Sequence, residues 1–338
     1  MAIFQEVGKL EVVTPQILTG NSARALVSCS GDMSKLRTNE VLQHEDWVDM
    51  QKDHIIPMAQ KVLRAYQDLV DENLVHNLPG IGKTDTRWQI EGDMSDANVS
   101  MNTMSQGQKD LLDYETDSAP VPVIFKDLEI DWRTINASQI EGTGIDIANS
   151  DAAARKVAVA MEEMVVNGYA HQLDGKHIYG YTSHPDRMVV SGFEAIAPTP
   201  ESIKNMVLRM VEEAECNDYG GPFNLYIPMG YATTLYEFFD IGNATVLLKD
   251  WLERLDLINK VTATSAMRPG NMALVQMDRT VVDLAVGLPL EPIEWEIMGG
   301  LGYRIRIITA GVPRIKRRRA HSGGYQTGIV HLRFQGPA

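Results

Sequence analysis

The sequence has little cysteine and no long apolar run. Its two cysteines, Cys29 and Cys216, lie 187 residues apart and form neither a CxxC pair nor a metal-ligand spacing. This spacing argues against a disulfide framework and against a zinc site. There is no stretch of 18 apolar residues, and the first residues lack a basic segment followed by an apolar one. These absences favour a soluble protein of a reducing compartment.

Acidic residues are missing from the C-terminal segment, although the whole chain is acidic. The 338 residues include 31 basic and 45 acidic side chains, for a net charge of -14. Residues 301–338 hold eight basic residues and no acidic one, so the first 300 residues carry -22. A body this acidic does not attract a polyanion, which argues against a dedicated nucleic-acid-binding protein.

The first 125 residues contain two segments that are unusual for a compact domain. Residues 1–40 have no strong periodicity, and two interpretations stay open: a frayed terminus, or an arm that orders against a neighbouring subunit. Apolar residues spaced three or four apart predict a helix from Ile55 to Leu74. Residues 83–125 are polar, and their single apolar residues alternate with polar ones at Trp88 and Ile90 and at Val99 and Met101. This pattern predicts a long, protruding two-stranded hairpin that needs a partner surface.

The remaining chain combines helices with many strands. Asn149 or Ser150 can cap a helix over 151–171 that Gly168 can end, and Thr199-Pro200-Glu201 is a strong helix start. Shorter helices are predicted at 231–239 and 246–257, and strands at 121–132, 223–227, 261–266, 272–277, 280–286, 293–298, 303–309 and 325–332. Helices followed by mostly strands predict an α+β fold rather than a doubly wound parallel sheet.

No motif in the sequence predicts a nucleotide site. Gly82-Lys83-Thr84 resembles the end of a phosphate-binding loop, but Asn77 stands where the loop requires its first glycine. The preceding segment is helical in pattern and not a buried strand. A turn that stops the helix is therefore the better interpretation.

Motifs for metal binding and nucleophilic catalysis are also missing. The histidines form no HExxH pattern; they are His44, His54, His76, His171, His177, His184, His321 and His331. Ser191-Gly192 lacks the GxSxG frame, and neither cysteine lies in a recognisable nucleophile elbow, since Cys216 ends a predicted amphipathic helix. Glu162-Glu163 and the glutamates at 212, 213 and 215 are interpreted as solvated helix faces. The sequence predicts no catalytic, cofactor-binding or metal-binding residue, and hence no enzyme.

A basic run near the C-terminus has two interpretations. Arg314, Lys316, Arg317, Arg318 and Arg319 follow a predicted strand. Such runs are typical of nucleic-acid or phosphate patches. Because the rest of the chain is so acidic, pairing with an acidic surface of a neighbouring copy is the favoured alternative.

Several segments of the chain follow one another in a characteristic order. The most distinctive are Phe125-Lys126-Asp127-Leu128-Glu129-Ile130, Gly144-Ile145-Asp146 and Ala152-Ala153-Ala154-Arg155-Lys156-Val157-Ala158 with Glu162-Glu163. After these come Thr199-Pro200-Glu201-Ser202-Ile203, Gly221-Pro222-Phe223-Asn224-Leu225-Tyr226-Ile227, Asn271-Met272-Ala273-Leu274-Val275, Val281-Val282-Asp283-Leu284-Ala285-Val286-Gly287 and Tyr303-Arg304-Ile305-Arg306. Their order resembles the Hong Kong 97 type capsid fold of tailed-phage major capsid proteins and encapsulin shells, from Leu42 to Leu332, and the most distinctive segments resemble the encapsulin-type branch.

The resemblance implies a division of the chain into the parts of such a subunit. These are an N-terminal arm (1–40), a helical segment of the peripheral domain (41–82), an extended β-hairpin loop (83–125), the peripheral domain (126–219) with a spine helix (151–171), an axial domain (220–300), and returning strands with the basic C-terminal segment (301–338). Some relatives cross-link a loop lysine to an asparagine. Lys109 and Lys126 lie in or near the loop, but no partner matches.

The function implied by the resemblance is that of a structural major capsid protein. It would assemble with itself through pentamers and hexamers into an icosahedral or prolate shell around the dsDNA of a tailed phage, in the host bacterial cytoplasm. Scaffolding, portal and decoration proteins would be partners, with no membrane and no cofactor. An encapsulin-like compartment with an enzyme cargo is the alternative, disfavoured because no cargo-docking element or flavin signature is visible. A metal enzyme using His171, His177 and His184 and a monomeric binding module are further alternatives.

Overall fold

The computed structural model describes residues 56–92, 99–102, 114–131, 133–134, 148–191, 199–241, 244–298, 302–319 and 324–333. The predicted arm (1–40), Cys29, Lys109, His44, His54 and His321 lie outside the described residues. Within them, no helix combines the length and apolarity needed to cross a bilayer.

The four principal helices are α1 (Ala65–Asp71), α2 (Ala148–Asn167), α3 (Pro200–Cys216) and α4 (Leu248–Glu253). The start of α3 follows the sequence prediction: Thr199 is its N-cap and forms a reciprocal capping box with Ser202. The helix predicted over 151–171 needs correction: α2 begins at Ala148, so Asn149 and Ser150 lie inside it, and it ends at Asn167, since residues 169–171 belong to a strand. Gly168, which the sequence offered as an end of this helix, follows it directly and adopts φ +75°. A Cβ at Gly168 would lie 2.5 Å from the carbonyl oxygen of Ile178, so glycine also permits a close backbone approach.

The strands fall into a mixed arrangement. They are β1 (Val75–Asn77), β2 (Asp85–Glu91), β3 (Tyr114–Pro120), β4 (Val123–Asp131), β5 (Tyr169–Leu173), β6 (Lys176–Ile178), β7 (Met188–Val190), β8 (Phe223–Pro228), β9 (Phe238–Ile241), β10 (Ala244–Leu247), β11 (Ile258–Thr264), β12 (Asn271–Gln276), β13 (Val282–Ile297), β14 (Gly302–Ile315), β15 (Arg318–Arg319), β16 (Tyr325–Gln326) and β17 (Ile329–Arg333). Parallel and antiparallel pairs both occur, and the α+β prediction is confirmed.

A five-stranded sheet, ordered β11-β8-β12-β17-β7, holds the larger part of the core. Helix α3 packs on one face, where Phe223, Leu225 and Ile227 of β8 meet its apolar stripe. The alternate residue Tyr226 faces a second core that also contains Leu69 of α1. Because both faces are covered, β8 is buried along its whole length, which explains its continuous apolar sequence.

The chain divides into two compact units. One comprises Met1–Ala59, Phe125–Lys156 and Leu290–Ile308; the other comprises Gln60–Ile124, Val157–Pro289 and Thr309–Ala338. Helix α3, which the sequence-based division separates from the strands after residue 220, shares their core. The capsid-domain names stay predictions.

The smaller unit includes a short cluster of paired side chains. Arg306 donates to both carboxylate oxygens of Asp127, at 2.6 and 2.7 Å, and its guanidinium lies 4.3 Å from the ring centroid of Phe125. This pair joins β14 to β4 within that unit.

Three other helix predictions need correction. The helix predicted over 55–74 is interrupted after residue 60 and begins again at Ala65, because a buried carboxylate described below caps that residue. The helix predicted over 231–239 is two short 3-10 turns followed by β9, which pairs with β10 in antiparallel register. The sequence between these strands, Gly242-Asn243, is a two-residue hairpin signal. The helix predicted over 246–257 is confined to α4.

Two strand predictions need correction too. The strand predicted at 325–332 is two strands, β16 and β17, which belong to different sheets. The strands predicted at 280–286 and 293–298 are a single strand, β13. Pro289 and Pro292 lie in the intervening sequence, and a proline cannot donate to a sheet ladder. The strand nevertheless runs through both prolines.

Candidate functional site

The hairpin formed by β2 and β3 is the most distinctive feature of the larger unit. Seven residues of β2 pair in antiparallel register with seven of β3, as the sequence predicted for this segment. Val99 and Met101, which were expected to continue the strand alternation, lie in the connection between the strands and outside any strand. Both side chains are fully exposed, at 99% and 105% of their reference areas.

A buried ion pair lies at the root of the hairpin. Arg314 of β14 donates from Nε and Nη2 to the two carboxylate oxygens of Asp283 on β13, each at 2.5 Å, and its Nη1 donates to Oγ1 of Thr86 on β2 at 3.1 Å. The Nζ of Lys316 lies 2.9 Å from the same carboxylate. The charged side chains of Arg314 and Asp283 are only 6% and 5% exposed. We call these four residues (Thr86, Asp283, Arg314 and Lys316) the hairpin anchor.

The second strand of the hairpin, β3, is contacted by residues that follow β14 in the sequence. The Nε of Arg317 lies 3.6 Å from a carboxylate oxygen of Asp117 on β3, and the Tyr325 hydroxyl donates to Glu115 at 2.7 Å. The guanidinium of Arg317 also lies 4.4 Å from the ring centroid of Tyr325. Both strands are therefore fixed to other parts of this chain, while the side chains of Val99 and Met101 are exposed.

Most of the basic run contacts its own chain. Besides the contacts above, Arg317 lies 3.2 Å from Asp186, and Arg318 donates to the carbonyl oxygens of Asn217 and Asp218 at 2.6 and 3.0 Å. Four of the five basic residues therefore have partners within the chain, and pairing of the run with a neighbouring copy stays a prediction.

A signal for this anchor was present in the sequence. Asp283 is the one charged residue in the apolar segment Val281–Val286, and such a carboxylate requires a cation when it is buried. The missing information was which basic residue approaches it, because Arg314 lies 31 positions away.

The Gly82-Lys83-Thr84 segment is a turn, as predicted. The backbone N–H of Lys83 donates to the carbonyl oxygen of Gly80, and its Nζ lies 3.6 Å from Asp85. The next element is strand β2 and not a helix, so the segment has no helix N-terminus at which a phosphate could bind.

The three central histidines do not converge. His177 contacts Gln172 at 2.8 Å and is exposed, whereas His184 is 96% buried and accepts a hydrogen bond from the Asp186 backbone at 3.2 Å. Among the described residues, no group of three or more His, Cys, Asp or Glu side chains is arranged to hold a metal ion. Cys216 is exposed at the end of α3, as the sequence placed it.

Glu162 was assigned to a solvated helix face, and that assignment is wrong. Its side chain is 1% exposed, while that of Glu163 is exposed. The carboxylate accepts hydrogen bonds from the backbone N–H groups of Ala65 and Tyr66, at 2.9 and 3.1 Å, and from the hydroxyl of Thr264 at 2.7 Å. Burial raises the pKa of Glu162, against the opposing effect of these donors. The residue caps the first turn of α1.

Two buried histidines make stability depend on pH. Burial lowers the pKa of His184 to about 4, with further lowering by Arg317 and Arg187 and opposition from Asp186 and Asp117. Burial also lowers the pKa of His331 to about 4, assisted by the positive charges of Arg187 and Arg333.

The two histidines should contribute fully to the free energy of unfolding above pH 6.5, and this contribution should decline as the pH falls towards 4. The reason is that in this pH window the unfolded chain binds protons that the folded chain does not. H331Q should remove about half of the decline that the two histidines cause. Urea denaturation of both proteins between pH 4.5 and 7 measures this difference, and the opposite contribution of Glu162 is common to both. An unchanged pH dependence in H331Q would contradict the assignment.

Three of the solved structures that this chain resembles are a virus-like particle and two capsids. The chain superposes on a virus-like particle from Pyrococcus furiosus with a TM-score of 0.61 at 16% identity, over 84% of this chain and 98% of that chain. The capsid of Myoviridae phage XM1 superposes with a TM-score of 0.57 at 11% identity, over 78% of this chain and 89% of that chain. The capsid of a native GTA particle superposes with a TM-score of 0.54 at 13% identity, over 81% of this chain and 91% of that chain. The chain has the Hong Kong 97 type fold, as predicted.

Comparison by sequence gives a match to one family model. Residues 37–294 match the model of DUF6260, which is described as a family of unknown function, and the chain belongs to that family. No curated protein matches the sequence.

Proposed function

We propose that this chain is the structural subunit of a closed shell built from copies of itself as pentamers and hexamers. The observation that carries the proposal is the anchored hairpin, whose strands are fixed by Arg314 and Arg317 while Val99 and Met101 are fully exposed. Apolar side chains on a presented connection gain burial when another copy covers them. The fold shared with the XM1 and GTA capsids supports this role.

We propose that the shell encloses the dsDNA of a tailed phage. A subunit of net charge -14 confines DNA without gripping it, which suits packaging and release. Residues 1–40 then serve as the arm, 83–125 as the extended loop, 151–171 as the spine helix and 220–300 as the axial domain. Scaffolding, portal and decoration proteins are the partners such a shell requires, and the host bacterial cytoplasm is its place of assembly.

A compartment that encloses an enzyme cargo is the second candidate. The Pyrococcus furiosus virus-like particle favours it, since the match spans 98% of that chain. In both candidates copies of this chain assemble into a closed shell. The candidates differ in what the shell encloses, which is DNA in one and a protein in the other.

Electron microscopy of the purified full chain tests the proposal. The expected result is closed particles, with genome-length DNA inside particles isolated from the native source; a protein cargo in its place would support the second candidate. Solution scattering from a compact monomer, with a radius of gyration of about 20 Å at all concentrations, would contradict both.

A pair of variants tests the role of the hairpin connection. V99D/M101D should abolish particles while the subunit stays folded by circular dichroism, because two carboxylates cannot be buried without partners. V99I/M101L preserves the apolar area and should assemble normally. Particles of V99D/M101D in wild-type yield would mean that this connection is not an assembly contact.

A further inference from the structure

A cavity of about 640 Å³ in the larger unit collects cationic side chains. Arg187, Arg268 and Arg333 line it, together with His331, Asn271 and Tyr231. The three arginines are spread over 147 positions of the sequence, so no basic run marks them. The cavity is separate from the hairpin anchor and shares no residue with it.

Sheet register explains why these residues converge. Asn271 on β12 pairs with Arg333 on β17, and His331 on β17 pairs with Val189 on β7. Residues two apart in a strand share a face, which places Asn271, His331 and Arg333 on the same side of the sheet. Arg187 precedes Val189, the partner of His331, by two positions, and its side chain lines the same cavity as those three residues. Arg268 comes from the turn directly before β12.

The arginines have no acidic counterpart in the part of the chain that the structure describes. The Nε of Arg187 donates to Nδ1 of His331 at 3.0 Å, and its Nη1 donates to the carbonyl oxygen of His184 at 2.5 Å. No ion pair among the described residues includes Arg187, Arg268 or Arg333. Burial and the nearby Arg333 charge lower the pKa of Arg187, so the cluster is under like-charge repulsion.

His331 is held neutral in this environment and acts as a support for the cluster. Because its Nδ1 accepts from Arg187, its Nε2 carries the proton and donates to Oδ1 of Asn271 at 3.0 Å. The guanidinium of Arg187 is thereby fixed in orientation, with donors left over. A fixed guanidinium fork is the arrangement that binds oxyanions bidentately.

We propose that this cavity binds a phosphate-bearing ligand through Arg187, Arg268 and Arg333. Phosphate is favoured over a single carboxylate, because three guanidinium groups offer more charge and more donors than one carboxylate satisfies. The volume exceeds that of a phosphate group alone and falls within the range of small-molecule sites, so a nucleotide-sized ligand fits. The phosphate can come from a free nucleotide or from a nucleic-acid backbone. The proposal is independent of the shell role.

Isothermal titration calorimetry with the full chain tests the proposal, using inorganic phosphate, adenosine monophosphate and single-stranded (dT)10 as probes in low salt. The expected result is one site per chain for at least one probe. Tighter binding of adenosine monophosphate than of (dT)10 identifies a free nucleotide, and the reverse order identifies a backbone phosphate. No binding of any probe at millimolar concentration would overturn the proposal, as would equal binding of glutarate.

Variants localise the binding. R268Q and R333Q, both at exposed positions, should each weaken binding about tenfold or more. R209Q removes the same charge from an exposed site on α3 that pairs with Glu212, and should change the affinity less than twofold. An equal loss in R209Q, or no loss in R268Q and R333Q, would overturn the site. Electron microscopy of the same samples separates a loss of binding from a loss of assembly.

Discussion

Replacing Arg314 by methionine should lower the free energy of unfolding by about 3–5 kcal/mol, one of the two largest effects expected of a single substitution here. The reason is the carboxylate left behind. Asp283 is 5% exposed and receives two hydrogen bonds from Arg314, so the variant leaves a buried charge without its main partner. Lys316, 2.9 Å away, can compensate only in part because it does not supply a bidentate contact.

Urea denaturation followed by circular dichroism measures this effect. R319M removes the same charge from an exposed position in the same segment and should change the stability by less than about 0.5 kcal/mol. D283L/R314M removes both charges and should recover most of the loss, since replacing a buried pair as a whole is far less costly than breaking it. Equal stabilities of R314M and R319M would mean that the pair is not buried in solution.

A second measurement distinguishes the anchor from a general core effect. Arg314 also donates to Thr86, the residue that fixes β2 of the hairpin. Hydrogen exchange of the β2 and β3 amides should therefore accelerate in R314M more than exchange in α3, which packs on a different sheet. A uniform acceleration across both regions would contradict a specific role at the root of the hairpin.

The sequence predicted those parts of the fold that depend on local signals. The start of α3 at Thr199-Pro200-Glu201, its end at Cys216 and the alternation in β2 all follow from neighbours along the chain. The segment 231–239 was predicted as one helix, but it holds short 3-10 turns and the first two residues of β9, because a few apolar residues over so few positions fit more than one period. In that case the hairpin signal Gly242-Asn243 was the better guide.

The candidate sites depended on contacts between distant residues, which no local pattern supplies. Arg314 was recognised as basic, but its partner Asp283 belongs to another strand. The cavity arginines belong to a loop, a turn and a strand that only the sheet register brings together. Resemblance to a known fold supplied the overall architecture in advance, because it rests on the order of segments rather than on any one contact.

The adjacent glutamates of α2 show the same limit at the scale of one residue. Glu162 and Glu163 are chemically identical and neighbours in sequence, but a helix turns about 100° between them. That rotation places Glu162 among the buried positions Ala158, Met161 and Val165, and leaves Glu163 in solvent. Charge alone suggested that both were solvated. The apolar periodicity around Glu162 was the better signal.

Substitution of Glu162 should therefore lower the free energy of unfolding much more than substitution of Glu163. E162A leaves two backbone N–H groups at the start of α1 and the Thr264 hydroxyl without their acceptor, and we expect a loss of about 3 kcal/mol or more. E162Q retains one acceptor oxygen but turns an amide group towards a backbone donor, so about 2 kcal/mol is expected. Urea denaturation at pH 7 gives both values.

The neighbouring residue provides the matched control for this experiment. E163Q makes the same chemical change one position along the helix and should alter stability by less than about 0.5 kcal/mol. In E162Q the amides of Ala65 and Tyr66 should lose protection from hydrogen exchange, because Glu162 is their acceptor. If those amides stay protected and E162Q is as stable as E163Q, the carboxylate does not cap α1. The interruption of the predicted 55–74 helix would then need another cause, since this cap is what allows a new helix to begin at Ala65.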